Sequence, residues 1–168
     1  MSKAVMLSIR PKWCEKIAIG EKTIEVRKTK PKLETPFNCY IYCTLPKYPH
    51  EDFIATDYPR PQFYGGGKVI GEFTCERIAL IAYDGGELSS TTNAAFSPAT
   101  CLTQAEIIAY IGDKGRCYGW YISDLRIYDT PRELSEFTGL RNTRFGAAPY
   151  DIKRAPQSWC YVEVMEDV

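Results

Sequence analysis

At 168 residues, with 45% hydrophobic and 25% charged residues, the chain can bury a core without metal or disulfide staples, and its composition excludes a disordered or collagen-like polymer. The formal net charge is zero, but residues 1–32 carry nine Lys or Arg against three Glu, and residues 139–156 carry four against one, so the remainder is acidic. Such segregation lets a neutral protein turn one positive face to a polyanion, although a charge run is also the ordinary content of a solvated face.

Val5, Leu7 and Ile9 alternate with Met6, Ser8 and Arg10, which predicts a first strand with Ser8 and Arg10 on its non-core face. Pro11 suits the first turn of a helix whose apolar side is Trp13, Cys14, Ile17 and Ala18 and which stops at Gly20. Trp13 is there either a core anchor or, beside Arg10 and Lys12, a platform for a ligand ring. Residues 23–29 alternate again: Ile24 and Val26 point one way, Thr23, Glu25 and Arg27 the other, and Lys22 stands at the corner. Residues 38–44 form the next strand. From 45 to 67 there are four prolines, several aromatic residues, the single histidine His50 and no periodicity, which predicts a long insertion loop. Gly65-Gly66-Gly67-Lys68 lacks phosphate-loop spacing and reads as a turn.

Val69 to Tyr83 reads as one long strand, or two broken near Glu76-Arg77, and 84–100 as a polar loop. Thr103-Gln104-Ala105-Glu106 is a capping box that opens a short helix with Leu102, Ile107, Ile108 and Ile111 as its apolar side, ending at Gly112. Residues 118–128 are strand. Thr130-Pro131-Arg132-Glu133 repeats the capping logic before a short helix to about Phe137, 139–156 is a second basic loop, and 157–164 is a closing strand. In that strand Ser158, Cys160, Val162 and Val164 share one face, and Trp159, Tyr161 and Glu163 the other. No repeat, linker or low-complexity tract divides the chain, so residues 1–168 read as one domain carrying the insertion around 45–67. Strands outnumber the short helices at their connections, which predicts an α+β fold built on a curled mixed sheet or barrel.

Seven cysteines, none in a C-x-x-C pair, and one histidine make neither a zinc set nor a secreted disulfide framework, so neither metal nor cofactor is expected. With no cleavable apolar leader and no membrane-length stretch, the chain reads as a reduced cytoplasmic protein. The 12 Tyr and 3 Trp fit either a binding surface or β-rich packing. No Ser-His-Asp set, H-E-x-x-H, kinase or Rossmann fingerprint is present. What remains is Lys22, Glu25 and Arg27, with Ser8, Arg10, Lys12 and Trp13 just before, Lys28 just after, and Gln157, Ser158 and Trp159 nearby if the last strand pairs beside the first. In such a group rings stack on a base, Gln and Ser read its edge, and Arg and Lys hold phosphate, which points to RNA or a nucleotide-like small molecule. The plainer alternative is an exposed Glu25–Arg27 pair of little energetic consequence, with the tryptophans in the core.

Gly20, Lys22, Glu25 and Arg27 also reproduce a G-x-K-x-x-E-x-R pattern, and with Leu7-Ser8-Ile9-Arg10-Pro11, Tyr118 to Leu125 and Ala155 to Val162 the chain resembles the ASCH domain family of the PUA-like superfamily. The resemblance implies a PUA-like mixed β-barrel and a domain that binds RNA or a modified nucleotide. The family includes an amidohydrolase that deacetylates N4-acetylcytidine and a member reported as a ribonuclease, so a small hydrolase using Lys22 and Glu25 is the alternative. The amidohydrolase's catalytic lysine matches Lys22, but its threonine three residues on is here Glu25, which could instead activate a water. A transcription-regulatory or protein-interaction module, docking a protein partner through the acidic remainder or the 45–67 segment, is a third class.

Overall fold

A computed structural model describes residues 2–45, 66–90 and 96–166. The expected insertion around 45–67, with His50, lies almost wholly outside the described residues; its last residues, Gly66 and Gly67, form the expected turn.

The chain opens with β1 (Lys3–Ile9), then α1 (Pro11–Ala18), with Arg10 extended ahead of Pro11 at the first helical position. Gly20 takes a φ of +81°, open only to a residue without a Cβ penalty, and the Lys22 N–H bonds back to the Lys16 carbonyl. That turn throws the chain into β2 (Ile24–Arg27). There follow β3 (Phe37–Cys43), the long β4 (Lys68–Tyr83), β5 (Leu88–Ser90), the single turn α2 (Phe96–Ala99), α3 (Gln104–Ile111), the long β6 (Arg116–Arg132), β7 (Thr138–Thr143), β8 (Gly146–Asp151) and β9 (Trp159–Glu163). The expected α+β architecture is observed.

The ladder runs β2-β6-β4-β3-β1-β9-β7-β8, with β5 added to β4; β1 is parallel to β3 and antiparallel to β9. Among the described residues no ladder joins β2 to β8, so the sheet is open rather than a closed barrel. It is nevertheless strongly curled. Four strand spacings separate β2 from β1, about 19 Å if the sheet were flat, yet Arg27 on β2 bonds the Ser8 carbonyl on β1 at 2.7 Å. Inside the curl lies one cluster in which Val5, Leu7 and Ile9 meet Cys39, Ile41, Phe73, Cys75 and Trp120, and Trp159 of β9 comes to 6.2 Å from Trp120 of β6.

Several local expectations are corrected. The second face of β1 is also core: Ala4 and Met6 are fully buried with Tyr40, Val69, Phe137 and Val162, and Ser8 is buried too. β4 is a single strand, and its register with β6 shifts between Cys75 and Ile78, so Glu76-Arg77 marks a bulge, not a break. The 84–100 loop contains β5 and α2. The capping box of α3 is present as predicted, but the second capping signal acts three residues later. β6 continues paired with β4 to Arg132, through a register shift between Val69 and Gly71, and Glu133 and Glu136 cap the 3₁₀ turn Leu134–Glu136 instead. Pairing with a long partner strand outweighs a local cap. The basic stretch 139–156 is largely the β7–β8 hairpin; Pro149 is tolerated there because β8 ends the ladder. In β9 the alternation holds, with Trp159 and Tyr161 toward the first cluster and Cys160 and Val162 toward the second. Among the described residues no helix is long and apolar enough to cross a membrane.

Candidate functional site

Beside the end of β2 lies a cavity of about 1010 Å³, within the size range of ligand sites, lined by Lys22, Glu25 and Arg27 with Ser8, Arg10, Trp13 and Gln157. β2 supplies its buried charges because distant elements cover it. Both faces of this strand are covered, Ile24 and Val26 at 3% and 6% exposure and Glu25 and Arg27 at 6% and 9%, so its charged face turns inward where an isolated strand would leave it in water. Ile81, Ile107, Ile111 and Cys117 pack on Val26, while Glu25 stands opposite Trp120 in register with β6.

Lys22 is 3% exposed. Its ammonium donates to the Thr100 carbonyl at 2.6 Å, lies 3.8 Å from Glu25 Oε2 and sits 5.0 Å from the centre of the Trp13 ring. Burial pulls this ammonium below the usual lysine range, and the nearby Glu25 carboxylate opposes that shift. The Thr100 carbonyl is held in place by the neighbouring Thr23 N–H to Ala99 carbonyl bond and by Leu102 N–H on the Thr100 hydroxyl.

Glu25 divides its two oxygens. Oε1 accepts from Arg27 Nε at 3.2 Å, whereas Oε2 is buried and has no hydrogen-bond partner. The only other such side-chain atom among the described residues is Trp120 Nε1, on the residue directly across the ladder. Unpartnered buried polar atoms are rare enough to ask for a reason, and Glu25 is one of the residues that line the cavity.

Arg27 has a different task. Beyond Glu25, its Nη1 donates to the Ser158 carbonyl at 3.2 Å and the Ser158 hydroxyl at 3.3 Å, and its Nη2 to the Ser8 carbonyl. The Ser8 hydroxyl donates to the Pro156 carbonyl at 2.6 Å. The guanidinium therefore ties the first strand of the ladder to β1 and to the approach to β9, across the seam that backbone pairing leaves open. With four of its N–H groups so engaged, it acts as a clasp at the wall of the cavity.

The other sequence-predicted residues divide. Arg10 and Gln157 are exposed on the rim, and Trp13 is a half-buried wall. Lys12 lies outside the lining, with its ammonium 4.6 Å from the Trp13 ring centre. Lys28 also lies outside it, 5.2 Å from the ring of Tyr110. Ser158 acts through Arg27, and Trp159 packs near Trp120 while its indole N–H donates to the Thr29 hydroxyl at 2.9 Å. Sequence reasoning missed Tyr42, Thr44, Glu106 and Tyr110. Glu106 and Tyr110 are four apart on α3 and so share a helical face, a signal that was present in the sequence. Tyr42 gave none, because its position on β3 is decided by the curl. Burial raises the phenol pKa of both tyrosines above the usual value.

The curled, open α+β sheet with short helices at its connections is similar in fold to a solved ASCH protein. The structure of ASCH from Zymomonas mobilis superposes with a TM-score of 0.59 at 18% identity, covering 95% of this chain and 87% of that one. Two point mutants of the same Zymomonas mobilis protein give TM-scores of 0.56 and 0.52 at 18% and 16% identity, each over 95% of this chain and 88% and 90% of theirs. No family model matches the sequence. No curated protein matches it either. At this identity the likeness is one of fold.

Proposed function

We propose that the chain is a binding domain for RNA or a nucleotide-like ligand and seats one base in the cavity over Lys22 and Glu25. The observation that carries this is the unpartnered, buried Glu25 Oε2 with the Lys22 ammonium 3.8 Å away. Together they offer an acceptor and a donor side by side, as the hydrogen-bonding edge of a base requires, and Trp13, Tyr42 and Tyr110 supply ring surface around them. Arg10 on the rim is placed for a phosphate.

The test is Glu25→Gln. Arg27 Nε keeps the amide oxygen of Gln on its own side, so the –NH₂ replaces Oε2 and turns an acceptor into a donor. Binding of a nucleotide or short RNA to this variant is expected to weaken by roughly tenfold or more, the cost of one misdirected buried hydrogen bond. Unchanged affinity, or no binding by the wild type at low salt, refutes the reading.

A second reading is favoured by one feature, the lowered pKa of Lys22 beside a carboxylate oxygen with nothing bonded to it. In a hydrolase Glu25 would take a proton from water while Lys22 steadied the developing negative charge. Incubation with N4-acetylcytidine and with short RNA separates the two: turnover that Glu25→Gln abolishes selects the hydrolase.

A further inference from the structure

A second concavity, of about 590 Å³, lies where the chain leaves β2 and where β6 begins, and its lining contains Lys28, Lys30, Lys114 and Arg116 but no acidic residue. All four cations are exposed, and none forms an ion pair with a carboxylate among the described residues. Four unneutralised cations around one hollow repel each other unless an anion joins them.

The segment that carries the lysines is fixed. Trp159 donates to the Thr29 hydroxyl, the Lys32 N–H donates to the Tyr161 hydroxyl at 2.8 Å, and the Lys30 ammonium rests 5.6 Å from the centre of the Tyr118 ring. Two aromatic residues of β9 thus hold a basic loop against the end of the sheet. The hollow also adjoins the cavity already described. Lys28 lines the hollow, and its ammonium lies against Tyr110, which walls the cavity.

We propose that this hollow is a phosphate subsite that takes the backbone of a single-stranded RNA whose base sits in the Lys22–Glu25 cavity. This rests on the binding function proposed above. It assigns Lys30, Lys114 and Arg116 to successive phosphates and Lys28 to the passage between the two sites. The subsite carries no sequence preference, because phosphates are common to every nucleotide.

The experiment measures affinity for a mononucleotide, a tetranucleotide and an octanucleotide of mixed sequence across a salt series. In the wild type, affinity rises with length and falls with salt. In Lys30→Glu/Lys114→Glu the gain with length is expected to disappear and the salt slope to shrink by about 0.7 for each phosphate that is no longer neutralised, with mononucleotide affinity unchanged. Lys30→Arg/Lys114→Arg should keep the gain. A gain with length that survives the charge reversal overturns the proposal. So does an equal loss in Arg141→Glu/Arg144→Glu, which makes the same charge change on the β7–β8 hairpin. Tripolyphosphate that binds the hollow more tightly than the octanucleotide would make it a site for free polyphosphate and also overturn the assignment. Failure of the cavity reading is separate: it shows as no mononucleotide binding and no effect of Glu25→Gln, and leaves the charge-reversal comparison able to decide the subsite on its own.

Discussion

Arg27→Leu tests whether the guanidinium is a structural clasp. The wild-type side chain makes four hydrogen bonds in a nearly dry site, to Glu25, Ser8 and both the carbonyl and hydroxyl of Ser158. Each hydrogen bond to a charged group contributes about 1.5–3 kcal/mol, and removing one partner of a buried ion pair costs about 3–5 kcal/mol. These overlap, since the same atoms serve both, so the expected destabilisation is about 3–5 kcal/mol rather than their sum. Against a total of about 5–15 kcal/mol that is a large part of the stability. Urea unfolding followed by tryptophan fluorescence gives the number from the shift in midpoint at constant slope. Arg27→Leu leaves Glu25 Oε1 without its donor while the Lys22 ammonium stays 3.8 Å from Oε2, so adding Glu25→Gln, which removes the counter-charge of buried Lys22, should not restore stability. Arg27→Lys should rescue little, because one ammonium cannot reach three groups held in the geometry of a planar fork. A loss below about 1 kcal/mol for Arg27→Leu refutes the clasp.

Burial raises Cys75 to about 12 and Cys117 and Cys160 to about 11, from an ordinary 9.0. These thiols stay protonated in the folded chain after they ionise in the unfolded one, so their contribution is complete below pH 9 and is lost as pH rises through 11 to 12. Lys22, lowered by burial, has the opposite sign, but it is one amine against three thiols. The urea midpoint in reductant should therefore fall with rising pH across this window, and a rise would contradict it. Gly71→Ala would place a Cβ 2.5 Å from the Arg126 carbonyl oxygen, a backbone atom that cannot swing aside, so a loss of about 1–3 kcal/mol is expected; an unchanged midpoint would show that the two strands can part. Trp13→Ala should reduce nucleotide affinity by about 5- to 150-fold, from the roughly 1–3 kcal/mol of stacking a base on a ring, and equal affinity in titration would remove Trp13 from the site.

Much of the fold was legible because its signals are local. Alternation located β1, β2, β3 and β9, proline and glycine bracketed α1, and Thr103 with Glu106 located α3. The errors fall where a distant partner decides. β6 runs through the capping signal at Thr130 because β4 is there to pair with it, and the hairpin at 138–151 forms because β7 and β8 pair along their whole lengths despite Gly146 and Pro149. No window of sequence contains that partner strand.

The site shows the same division, and Arg27 shows its cause. Alternation correctly put Glu25 and Arg27 on one face of β2, but whether that face meets water or protein depends on how far the sheet curls. Five strands must curl before Arg27 can reach Ser8 and Ser158, and the same curl buries Glu25 against Trp120 and leaves its Oε2 without a partner. Arg27 is therefore engaged by the fold, while Lys28, Lys30, Lys114 and Arg116, which line the second hollow without an ion pair among the described residues, come from two segments that the β2–β6 pairing brings together. Arg27 and Lys28 are neighbours in the chain, yet the first closes the sheet from inside and the second faces outward. A charge reversal at Lys28 should therefore leave the urea midpoint within about 0.5 kcal/mol of wild type, where Arg27→Leu moves it by several, and equal effects on stability would mean that the seam is not what Arg27 holds.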